Sequence, residues 1–210
     1  MKTQDRLTDA YESAHLVEFD RSSRMIFMSD LHRGDGSVAD EFAKNKVIVT
    51  HALAHYFDEG FTLVELGDCE DLWEFPHIKH IVRAHGIVYG KLQQFHRLGR
   101  YLRLYGNHDA QLSDPEYVRR NLSDLQSPQT GELEPLLPDL DVHSALRLRS
   151  RETGQELLVV HGHQGDFSND QAWRFTMWSY RVFWRWLHAF GIQHPSSPIK
   201  NSYKRHKVER

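Results

Sequence analysis

Short apolar runs closed by glycine or aspartate alternate with stretches of helical periodicity through the first half of the chain. Arg24-Met25-Ile26-Phe27-Met28-Ser29 predicts a strand ending at Asp30. A helix is predicted from about Asp40 to Glu59, with Phe42, Leu53, Tyr56 and Phe57 among its apolar positions and Gly60 where a cap would end it. Thr62 to Leu66 predicts a second strand stopped by Gly67, and Tyr101 to Tyr105 a third stopped by Gly106. Between them, residues 78–98 read as helix, weakened by Gly86 and Gly90. Ser113-Asp114-Pro115-Glu116 is a helix start, with proline near the first helical position and acidic residues in the first turn. Residues 127–139, rich in proline and glycine, read as loop. Val142 to Arg149 and Glu156 to Val160 flank a turn at Thr153-Gly154 and predict an antiparallel hairpin. The strand–helix–strand rhythm predicts βαβ units and an α/β sheet.

After His161 the pattern changes. Residues 172–190 hold four of the five tryptophans, mixed with Arg174, Arg181 and Arg185, and the tail from Lys200 to Arg210 is basic. The 210 residues suit one domain with its own core, and 40% hydrophobic with 26% charged residues excludes a disordered chain. A single cysteine, Cys69, excludes a disulfide scaffold and points to a reducing, cytoplasmic location. Met1 to Arg6 leads into no apolar run, so no secretory leader is expected, and the absence of any long uncharged apolar stretch argues against a transmembrane span. A net charge of −3 gives no reason to expect nucleic acid as a partner. The unusual number is 15 histidines.

Four polar clusters stand at four strand ends: Asp30-Leu31-His32, Gly67-Asp68, Gly106-Asn107-His108-Asp109 and His161-Gly162-His163. In open α/β sheets, ligands gather at the carboxyl ends of strands, so clusters distant in sequence can converge there. Their carboxylate, amide and imidazole groups suit Mn, Fe, Zn or similar divalent ions. Each cluster alone has a bland reading as a turn or a surface pair; their order and strand placement together carry the signal.

These blocks resemble the calcineurin-like metallophosphoesterase signature over roughly residues 24–170, with four of that family's five blocks present. Within the family the resemblance is to the UDP-diacylglucosamine pyrophosphohydrolase-like group, through His161-Gly162, Gly165-Asp166 and Asp170 followed by a Trp/Arg-rich helical insert. The Ser/Thr phosphatase branch fits less well, since Asp68 is followed by Cys69-Glu70-Asp71-Leu72-Trp73. The resemblance implies two packed mixed β-sheets flanked by helices, with a core over residues 1–170 and a helical, aromatic-rich cap-like segment over 171–210. It implies two divalent metal ions: Asp30 and His32 on the first, Asn107 and His161 on the second, and Asp68 bridging both. It further implies hydrolysis of a phosphomonoester, phosphodiester or pyrophosphate by a metal-activated hydroxide. His108 would act at the leaving-group oxygen, with Asp109 fixing its tautomer. Arg33 is a candidate for holding a phosphate oxygen or else a surface arginine, and His163 a candidate for the substrate or metal site.

The family's fifth block, Gly-His-x-His, is missing, and the expectation is a chain that stops short of it. Another histidine or another subunit completing the site is the competing reading. Three alternatives stay open for the aromatic segment: a cap that receives an apolar group of a small phosphorylated or lipid-linked nucleotide, an ordinary core or interface helix, or weak peripheral contact with a membrane. For the whole chain, the alternative to an enzyme is a catalytically impaired metal-binding or assembly module.

Overall fold

The computed structural model describes residues 3–126 and 131–162; His163 and the aromatic segment 171–210 lie outside the described residues. The described chain is mixed α/β. In order it runs α1 (Thr3–Ser13), β1 (His15–Phe19), β2 (Met25–Met28), α2 (Lys46–Asp58), β3 (Thr62–Glu65), α3 (Ile78–Ala84), α4 (Gly86–Arg97) and β4 (Tyr101–Leu104). It continues with α5 (Pro115–Leu122), β5 (Asp124–Gln126), β6 (Leu133–Pro135), β7 (Val142–His143), β8 (Ala145–Ser150) and β9 (Glu156–Val160). Strands β2-β3-β4-β7 form an all-parallel sheet. Strands β1-β8-β9 form a mixed one, with β1 parallel and β9 antiparallel to β8.

The two-residue period of a strand decides what each face buries. On β3 and β4, Leu63 and Tyr101 face the helices, packing with Leu53, Ile81, Leu92, Phe95 and Val118. Val64 and Leu104 face the other way, into a second cluster shared with Leu146 and Leu148 of β8 and edged by Val17, Phe19 and Val159. That second cluster draws on both sheets, an arrangement compatible with an α/β sandwich. Each fully buried Leu, Val or Phe contributes roughly 1.5–3 kcal/mol relative to exposure.

Several boundaries differ from the sequence expectation. The helix predicted from Asp40 opens with a 3₁₀ turn, Glu41–Lys44, capped by the Asp40 carboxylate accepting from Ala43 N, and α2 starts only at Lys46. Residues 78–98 are two helices. The break is His85, whose imidazole is buried against the Asp40 carboxylate at 2.7 Å and whose backbone leaves helical values. Val142 to Arg149 is not one strand. Val142–His143 pairs with β4 and Ala145–Ser150 with β1 and β9, so the chain passes between sheets at Ser144. Residues 133–135, expected as loop, form a two-stranded ribbon with β5. Sequence reading missed α1 and β1 altogether, because β1 is largely exposed and only Val17 and Phe19 carry its inward pattern.

Candidate metal centre

Three parallel strands deliver their carboxyl ends to one edge of the sheet. Asp30 and His32 follow β2, Asp68 and Asp71 follow β3, and Asn107 and His108 follow β4; His161 follows β9 of the other sheet. The loops keep pairing beyond the strands: Asp30 N donates to Gly67 O at 3.2 Å, His32 N to Asp68 O at 3.0 Å, Arg33 N to Cys69 O at 2.8 Å and Asp71 N to Arg33 O at 3.0 Å. Asp30, His32 and Asp68 all sit in the left-handed region, with φ of 53°, 47° and 51°. That conformation costs about 1–2 kcal/mol per non-glycine residue, and such strain clusters at functional sites. Two glycines permit the close approach. A Cβ on Gly67 would lie 2.6 Å from Gly106 N, and one on Gly106 would lie 2.2 Å from Asp68 Oδ1 and 2.8 Å from His161 Cδ2.

The side chains gather into two trios, Asp30–Asp68–His161 and His32–Asp71–His108, with the ligand atoms of each within 4.8 Å of one another. His161 Nε2 is 3.1 Å from Asp68 Oδ2, and His32 Nε2 is 4.0 Å from Asp30 Oδ1, so the trios adjoin. Carboxylate oxygens and imidazole nitrogens at this spacing fit a divalent cation of the Mn, Fe or Zn kind. The expected pairing of Asp30 with His32 is near, and His32 stands between the trios: its Nε2 is 4.0 Å from Asp30 Oδ1 and its Nδ1 3.9 Å from Asp71 Oδ2. Asn107 is buried, and its main-chain carbonyl accepts from Trp73 Nε1 at 2.7 Å. Burial works against ionisation of Asp68. The hydrogen bond with His161, the charges of His108 and His161 and the backbone N–H of His108 nonetheless hold its carboxyl at about 2. His161 is raised in turn, its burial outweighed by the bond and charge of Asp68.

His108 is held on three sides. Its Nδ1 lies 3.0 Å from Asp71 Oδ1, its ring stacks on Trp73 at 4.1 Å between centroids, and His32 meets it edge-on at 4.6 Å. Burial disfavours its cationic form, but Asp71, then Asp68 and Asp109, raise its pKa. Asp71 moves the opposite way, lowered despite burial by its bond to His108. The expected partner was Asp109, and that assignment is corrected. The Asp109 carboxylate instead accepts from the N–H groups of Gly106 (2.6 Å), Asp68 (3.2 Å) and Cys69 (3.0 Å) and pairs with Arg103 at 2.5 Å. It braces the loops; it does not orient the imidazole.

Arg33 is also corrected. It is fully buried, neither a surface residue nor at an opening where substrate could reach it. Its guanidinium bonds Glu65 at 2.7 and 3.1 Å and Glu70 at 2.5 Å, while Arg103 bonds Glu65, Glu70 and Asp109; Tyr101 and Tyr89 donate to Glu65 and Glu70. Register explains part of this network, since Glu65 lies opposite Arg103 on the face where Leu63 and Tyr101 meet the helices. Site and network alternate along the chain: His32 then Arg33, Asp71 after Glu70, His108 then Asp109.

Burial opposes the charge of Glu65, yet the two arginines hold it at about 2, against an ordinary value near 4.5. A depressed carboxyl contributes stability above its unfolded pKa and loses it as pH falls toward the folded one. The urea midpoint is therefore expected to fall between about pH 4.5 and 2. Of these buried carboxyls only Asp109, raised by burial, runs the other way. A midpoint that climbs on acidification through that window would contradict the network's charged state.

Sequence reasoning missed Asp71, Trp73 and Glu70. The available signal was an acidic pair, Glu70-Asp71, set between Cys69 and Leu72-Trp73, since charged residues inside an apolar run must find buried partners. Compared with known families, curated proteins and solved structures, the chain matches none.

Proposed function

We propose that this chain is a metal-dependent phosphoesterase, hydrolysing a phosphomonoester, phosphodiester or pyrophosphate bond at a dinuclear centre. Within that class the proposed relationship is to the calcineurin-like metallophosphoesterases, and there to the UDP-diacylglucosamine pyrophosphohydrolase-like group. The supporting observation is the meeting of four separate sequence blocks at one site, where Asp30, Asp68 and His161 form a donor trio with His32 4.0 Å from Asp30 and His108 bonded to Asp71 beside it. The parallel and mixed sheets, sharing one apolar cluster with helices on the outer face, accord with that family's sandwich. Asp30, Asp68 and His161 would hold one ion, His32 and Asn107 would contribute to a second, and Asp68, with two carboxylate oxygens, would serve both. Bound divalent ions would supply charge for the phosphate oxygens and acidify a water.

The chain's own residues divide the remaining work. His108, with Nδ1 engaged by Asp71, would move its proton through Nε2 to the leaving oxygen. Asp71 fixes that tautomer and favours the cation. Asp109 and Arg103 keep the loops at their spacing. A small phosphorylated or lipid-linked nucleotide remains the proposed substrate class, and the cytoplasm the proposed location. Among the described residues no helix is long and apolar enough to cross a membrane.

The test is hydrolysis of p-nitrophenyl phosphate by chelated protein after Mn²⁺ is restored, with metal content measured in parallel. Two ions per chain and Mn²⁺-dependent turnover are expected, and Asp71→Asn should lower kcat about 100-fold while metal content holds. Protein that binds no metal and releases no phosphate would instead support the assembly-module reading.

A further inference from the structure

Trp73 is buried and is not a group that the proposed hydrolysis uses. It is nonetheless tied to the site by three separate contacts. Its indole lies almost parallel to the His108 imidazole, at 4.1 Å and 16° between planes. Its Nε1–H donates to the main-chain carbonyl of Asn107 at 2.7 Å, the residue immediately before His108. Its backbone N–H donates to Asp71 Oδ1 at 3.2 Å, the same oxygen that meets His108 Nδ1.

We infer that Trp73 is a positioning residue that fixes the plane and direction of the His108 ring. The basis is steric. A hydrogen bond at Nδ1 alone leaves the imidazole able to swing about that contact. The flat indole closes one face, and His32, edge-on at 88°, restricts another side. The indole N–H also anchors the backbone that carries the ring, so its base and its plane are set by one residue. A ring held in this way loses little entropy when it aligns with a departing oxygen, which is where orientation lowers a barrier.

The structural part stands without any activity; the catalytic part rests on the phosphoesterase reading. The experiment separates the two. In full-length protein labelled at histidine, the His108 carbon-bound ring protons, assigned by their loss in His108→Ala, should resonate upfield through the indole ring current. Trp73→Leu should move them to ordinary histidine positions, and Trp73→Phe, which keeps a flat ring but has no N–H, should keep most of the upfield shift. In the Mn²⁺ assay, Trp73→Leu is expected to lower kcat about 10-fold with KM within about twofold. The loss should be larger for phenyl phosphate than for p-nitrophenyl phosphate, whose leaving group needs less assistance. Trp73→Phe should recover most of it.

Unshifted His108 protons in the wild-type protein, or protons unmoved by Trp73→Leu, would overturn the positioning role whether or not the chain hydrolyses esters. An equal loss for both substrates would overturn its catalytic part alone. Should the leucine variant fail to fold, the phenylalanine variant decides: unshifted protons in a folded Trp73→Phe protein count against the inference. Wild-type protein with shifted protons and no esterase activity would leave Trp73 in place and remove the phosphoesterase reading.

Discussion

Asp68→Asn is expected to reduce metal content from two ions per chain to one or none and Mn²⁺-dependent hydrolysis on the order of 1,000-fold, about 4 kcal/mol of barrier. The substitution keeps the shape of the side chain and removes its charge. Asp68 is the point where the site's parts meet: its carboxylate contacts His161 at 3.1 Å and accepts from His108 N at 2.8 Å, and its own N–H is held by Asp109. An amide offers one acceptor oxygen in place of two anionic ones and can no longer bridge two cations. Metal analysis and the aryl phosphate assay check the result together. A variant that retains both ions and turns over substrate normally would remove Asp68 from the centre of the mechanism.

Gly106→Ala should be nearly as damaging for a different reason. The added methyl would fall 2.2 Å from Asp68 Oδ1, 2.7 Å from Asp68 N and 2.8 Å from His161 Cδ2, all closer than atoms can sit. The two loops must separate, which is expected to cost about 1–3 kcal/mol in the metal-free protein. Metal affinity should fall about 10–100-fold as the donor atoms spread. Gly90→Ala provides the contrast, since nothing lies within 4 Å of its added carbon and the residue is in the interior of α4. That variant should gain about 0.5–1 kcal/mol, because alanine favours helix where space allows. Urea midpoints and Mn²⁺ titrations of the pair decide the matter. Wild-type affinity in Gly106→Ala would mean that the close approach of the loops has no bearing on metal binding.

The two glycines show how much of the site was readable beforehand. Gly67 and Gly106 marked strand ends, and their place beside Asp68 and Asn107 suggested sharp turns. Their real constraint is mutual, Gly67 against the backbone of Gly106, and two residues 39 positions apart in sequence have no local signal for touching. The same holds for His85. Helical periodicity ran through residues 78–98, but a buried carboxylate from Asp40 fixed the imidazole and split the helix there.

The His-Asp assignment failed in an instructive way. Adjacency in Gly106-Asn107-His108-Asp109 made Asp109 the natural partner of His108. The chain turns at these two residues into the 3₁₀ segment Ala110–Ser113, however, and the turn aims the imidazole at the site and the carboxylate at the buried arginines. The partner came from the loop after β3, where Asp71 stands three residues past Asp68. Arg33 is likewise turned inward directly after His32, whose φ of 47° redirects the chain.

By itself, the sequence determined the strand–helix rhythm of the first half, the strand ends that carry polar residues, and the chemistry of those residues, because periodicity and residue type are local properties. Which carboxylate meets which imidazole, which arginine is buried and how the donors divide into trios were decided by the tertiary structure alone. These depend on strand register and on the direction each loop residue faces, and both are set only when the sheets and helices pack.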